Sequence, residues 1–95
     1  MEHTKVVIDK LTGGEDYHTW SFAMKSLLEM LGLEEAIADP CNLDVTKDKE
    51  RVILQKAKNI LILNVHAGLY SHIEPCKSAS EIWLKLRSMY EDSGI

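Results

Sequence analysis

Apolar residues recur at three- and four-residue steps in three stretches of the chain, and each stretch predicts a helix. In the first, Trp20, Ala23, Met24, Leu27, Leu28 and Leu31 share one face of a helix expected over residues 17–31. Asp16 is placed to cap it by accepting a backbone N–H, and Gly32 to end it in the left-handed conformation. Residues 33–38 read as one further turn, stopped at Asp39-Pro40. After a loop over 41–45, a second helix is expected over residues 46–67, with Gly68 as its stop. Ile53, Leu54 and Ala57 line one side of it, whereas Ile60-Leu61-Ile62-Leu63-Asn64-Val65 is apolar nearly all round. A helix of that kind is expected to be covered on every side, which makes the second helix the central element. Residues 69–73 read as a short helical turn before Pro75. Ser78-Ala79-Ser80-Glu81 is a capping box, and opens a third helix over residues 79–92. Its stripe is Ala79, Ile82, Trp83, Leu86, Met89 and Tyr90.

Ahead of these helices, Val6, Val7 and Ile8 form a β-branched run too short to stand alone, which reads as an extended arm. Thr12-Gly13-Gly14 turns the chain into the first helix. The expected architecture is therefore all-α: a small orthogonal bundle of three main helices with short helical turns between them. One domain covers residues 1–95, with an arm at 1–12 and a helical body at 16–92. A chain of 95 residues buries only roughly 60–65% of its unfolded surface, so modest stability is expected. The 45% hydrophobic fraction suffices for one core, and 27% charged residues argue against disorder.

Charge and chemistry narrow the function. No apolar run approaches the ~20 residues a membrane span needs. The N-terminal apolar run ends at Asp9 after three residues, unlike a secretory signal. A soluble, cytoplasmic protein is expected. The two cysteines, Cys41 and Cys76, form no Cys-x-x-Cys pair and no metal-finger spacing with histidine, so free thiols are expected. His18, His66 and His72 show no ligand pairing, and no nucleophile motif is present. No catalytic, cofactor or metal site is expected, and the chain does not read as an enzyme. The net charge of −4 offers no basic footprint for nucleic acid. Lys47, Arg51 and Lys58 line one face of the second helix and Lys49 and Lys56 the opposite one, with Asp48 and Glu50 interleaved. This is the pattern of a solvated charged surface.

Two motifs carry a family resemblance. The first is Leu11-Thr-Gly-Gly14-Glu-Asp-Tyr17-His-Thr-Trp20, which leads into the Met/Leu-rich first helix through Leu28. The second is Ser78-Ala-Ser-Glu-Ile-Trp83-Leu-Lys-Leu86-Arg-Ser-Met-Tyr90. In order and spacing, from Leu11 to the end, the chain resembles the N-terminal capsid lobe of Gag from Ty1/copia-type LTR retrotransposons. The resemblance implies a capsid N-terminal-domain-like helical fold that self-assembles into virus-like particle shells. It implies a second capsid lobe C-terminal to this one in the parent protein. RNA packaging is not expected of these residues, which hold neither a zinc knuckle nor a basic tail.

The aromatics Tyr17, Trp20, Trp83 and Tyr90 lie on apolar stripes and are expected in the core. Two apolar residues fall off the stripes. Phe22 lies beside Ser26 and Glu29, and Leu84 beside Ser88 and Glu91, where the family often carries a small or polar residue. Off-stripe apolars are candidates for a self-association surface. The 6–8 arm is expected to cover Phe22, which leaves Leu84 as the cleaner candidate. Other readings are a domesticated Gag lobe acting as a protein-interaction adaptor, and a nucleic-acid-binding domain, which the acidic balance disfavours.

Overall fold

The computed structural model describes residues 7–91. Four helices follow in order: α1 Tyr17–Met30, α2 Asp48–Leu63, α3 Tyr70–Ile73 and α4 Ala79–Tyr90. Two 3₁₀ turns, Glu34–Ile37 and Ala67–Leu69, lie between them. The protein is all-α among the described residues, with an isolated bridge between Leu11 and Val65. Val6 of the arm and Asp92 of the third expected helix lie outside the described residues.

The close of α1 follows directly from the sequence. Gly32 takes φ +73°. Its N–H donates to the Glu29 carbonyl at 3.1 Å, and the Leu33 N–H donates to the Leu28 carbonyl at 2.8 Å. This paired arrangement satisfies the last carbonyls and sets Leu33 beside Leu28, both buried. Leu31, expected on the buried stripe, is 50% exposed. It caps the helix at the end of the stripe, its N–H still donating to the Leu27 carbonyl at 3.1 Å.

Asp16 departs from the expected cap. Its carboxylate makes no bond into α1. It turns back, accepting from the Gly13 N–H at 3.0 Å, the Thr12 N–H at 3.1 Å and the Thr12 hydroxyl at 3.1 Å. The tight Thr12–Gly14 turn aims these donors at it. The capping box of α4 does form: the Ser78 hydroxyl accepts from the Glu81 N–H at 3.2 Å. The Glu81 carboxylate reaches the Lys77 N–H at 2.9 Å, one residue further back than the motif predicts.

The second helix ends earlier than expected, at Leu63 instead of continuing to residue 67. The His66 N–H, which a longer helix would aim at Ile62, donates to the Leu11 carbonyl at 2.8 Å. The Gly68 N–H, which would seek Asn64, donates to His66 Nδ1 at 3.0 Å. The Asn64 carbonyl is thereby released and accepts from the Leu11 N–H at 3.0 Å and the Trp20 indole N–H at 2.9 Å. The Asn64 side chain closes the last turn by donating to the Ile60 carbonyl at 2.8 Å. The bonds that His66 and Gly68 would make in a longer helix are thus replaced by others.

The core gathers Leu11, Tyr17, Trp20, Met24 and Leu28 with Ala36, Ile37, Ala57, Leu61, Val65, Ile73, Ala79, Ile82 and Leu86. α4 packs on α2, on α3 and on the Glu34–Ile37 turn, so it shares the centre with α2. α2 is not covered on every side. Leu63 is 65% exposed and Val52 is exposed, because no described element lies over that face.

Two outcomes test this packing. Trp20→Ala loses a buried ring and its indole bond, and should cost about 3–5 kcal/mol in urea unfolding. Gly32→Ala forces a left-handed alanine and should cost about 1–2 kcal/mol.

Candidate assembly surface

The two motif segments meet in space. Four rings form a ladder from α1 to α4: Tyr90 to Tyr17 at 5.8 Å between centroids, Tyr17 to Trp20 at 6.4 Å, and Trp20 to Trp83 at 5.9 Å. Tilted contacts at these distances are favourable beyond simple burial. Rings bridge α1 and α4, whose backbones make few close approaches. Tyr17 and Trp20 are buried, whereas Trp83 and Tyr90 are half-buried. The expectation of full core burial thus fails for the α4 pair, which lies at the outer ends of the ladder. Leu11, Leu28 and Leu86 are wholly buried.

Gly14 sits beside this ladder. A Cβ there would lie 3.4 Å from Tyr90 Cδ1, an ordinary contact, and its φ is not in the left-handed region. Neither sterics nor backbone conformation demands glycine at this position. Asp16 lies nearby: burial tends to raise its carboxyl, but the bonds from Thr12 and Gly13 outweigh this and hold it below the usual value. Burial pushes the Tyr90 phenol up, and the Asp16 charge adds to the effect.

The off-stripe apolars line neighbouring grooves. Phe22 is 81% exposed. The expectation that the arm covers it is not met among the described residues. Val7 is itself 71% exposed. Val7 and Ile8 form with Phe22, Ser26, Leu27 and Met30 a groove of about 440 Å³. Sequence reasoning missed Met30, although its position eight residues beyond Phe22 sets it near the same face. Leu84 is 36% exposed, in a second groove of about 380 Å³ with Trp83, Ile37 and charged residues. A further groove, lined by Phe22 with Lys25, Trp83 and Arg87, adjoins it and shares the last three residues.

Among the described residues, no group of three histidine, cysteine or acidic side chains is arranged to hold a metal ion. Among the described residues, no helix is long and apolar enough to cross a membrane. His66 serves the fold through its bond to Gly68. Compared with family models, curated proteins and solved structures, the chain gives no significant match. The likeness to copia-type capsid proteins rests on the motif residues alone.

The acid side of the motif gives a prediction. The folded Asp16 carboxyl is depressed, so its stabilising effect is present above the unfolded value of about 3.9. It is lost as pH falls through the lower folded value. Asp16→Asn removes that titration. Between pH 5 and pH 3 wild type should lose more of its melting temperature than the variant does; parallel loss in the two would contradict the role given to these bonds.

Proposed function

We propose that this chain is a non-catalytic self-association module, the N-terminal capsid lobe of a copia-type retrotransposon Gag or of a derivative of one. The reading places it in the cytoplasm, with further copies of itself as partners and a second capsid lobe following it in the parent protein. It assigns no direct role in binding nucleic acid. Support comes from the motif residues at the two ends of the chain, which converge on one ring ladder instead of lying scattered.

The observation that carries self-association is Phe22. A phenylalanine this open, walled by Val7, Ile8 and Met30, leaves an apolar surface on α1 with no described covering. Burying one such side chain contributes about 1.5–3 kcal/mol before the costs of association. That is a weak contact, suited to a shell in which many contacts act together.

Phe22→Ser should keep the wild-type melting curve within about 0.5 kcal/mol, as expected at an exposed position. It should also weaken the reversible association seen by sedimentation as protein concentration rises. Wild type that stays monomeric to millimolar concentration would contradict the reading, and so would association untouched by the substitution.

A further inference from the structure

The outer face of α2 carries a stripe that the core does not use. Lys49, Val52, Lys56, Asn59 and Leu63 follow one another at three- and four-residue steps, which places them on one helix face. All five are exposed. The stripe is apolar at Val52 and Leu63 and cationic at Lys49 and Lys56. Asp48, four residues before Val52, is paired with Arg51 at 2.8 Å.

The groove around Leu84 has the opposite character. Its apolar floor is Trp83, Leu84 and Ile37, and its walls carry Glu29, Glu34, Glu35 and Asp39. Its two cations are Lys25 and Arg87, and Arg87 is engaged with Glu91 at 3.1 Å. The groove sets an excess of carboxylates beside apolar side chains, and the stripe alternates lysines with apolar side chains.

We propose that the α2 stripe of one copy docks into the Leu84 groove of a second copy, head to tail. The proposal rests on the self-association reading and adds a contact made through α2, which the Phe22 reading does not use. Charge decides the geometry. A two-fold contact pairs like with like, so groove on groove opposes carboxylates and stripe on stripe opposes lysines. Only the unlike pairing brings lysine to carboxylate and Val52 and Leu63 to Leu84 and Trp83. A contact between two different faces leaves each copy with one free groove and one free stripe. Such contacts propagate into a ring or an open array, whereas a two-fold contact stops at a dimer.

Charge reversal tests the pairing in the intact chain. The substituted positions are all exposed, and circular dichroism checks that the fold is kept. Glu34→Lys with Glu35→Lys makes the groove positive; Lys49→Glu with Lys56→Glu makes the stripe negative. Each double variant alone should associate about tenfold more weakly than wild type, since like charges then face each other. An equimolar mixture should regain the lost association, because each altered face now finds a complement, and so should one chain carrying all four changes. Rising salt should weaken wild-type association. Association of wild type that neither double variant alters overturns the proposed contact and leaves the Phe22 reading standing. Loss in both variants without recovery in the mixture also overturns it. Wild type monomeric throughout overturns the contact and the self-association reading together.

Discussion

One backbone carbonyl holds the two ends of the core together. The Asn64 oxygen, released where α2 stops, accepts from the Leu11 amide and from the Trp20 indole. The His66 amide completes the grip by donating to the Leu11 carbonyl. A buried carbonyl needs partners, and an indole N–H in an apolar setting needs one too. Each requirement here satisfies the other. The consequence is that Leu11, a residue of an otherwise extended segment, is wholly buried among the helices.

From that clamp the ring ladder follows. With its indole N–H bonded to the Asn64 carbonyl, Trp20 makes ring contacts to both Tyr17 and Trp83. Tyr17 in turn meets Tyr90, so both ends of α4 are tied to α1 through side chains. The Thr12–Gly14 turn, stiffened by the Asp16 carboxylate, delivers Tyr17 and Trp20 to these positions. The motif spacing has a physical meaning in this fold: Leu11 plugs the core, Asp16 sets the turn, and Tyr17 and Trp20 lie one helical step apart on the same face. Gly14 is the member for which the structure supplies no such reason.

What the sequence made legible was what local patterning controls. The helical stripes, the glycine stop after α1, the Ser78 cap and the off-stripe position of Phe22 could all be read from spacing; the exposure of Phe22 could not, since the apolar arm reads as its cover. The end of α2 could not, because helical propensity in Ile60–Leu63 competes with a pairing to Leu11 that is remote in the chain. Asn64, a polar residue of poor helix propensity in an apolar run, was the available signal. Asp16 had two sets of donors within reach, and nothing in its spacing ranked the Thr12 turn above the helix. The exposure of Leu63 was hidden for another reason. An apolar run predicts cover, but the cover can come from a further copy of the chain, which is the role proposed for the α2 stripe.

If the clamp organises the core, its hydrogen bonds open only when the core opens. Amide exchange followed by NMR measures this directly. The account predicts that the Leu11 and His66 amides and the Trp20 indole N–H exchange as slowly as the amides in the middle of α2 and α4, with the free energy of global unfolding. Fast exchange at Leu11 and His66, while those helices stay protected, would show that the segment merely rests on a core that stands without it.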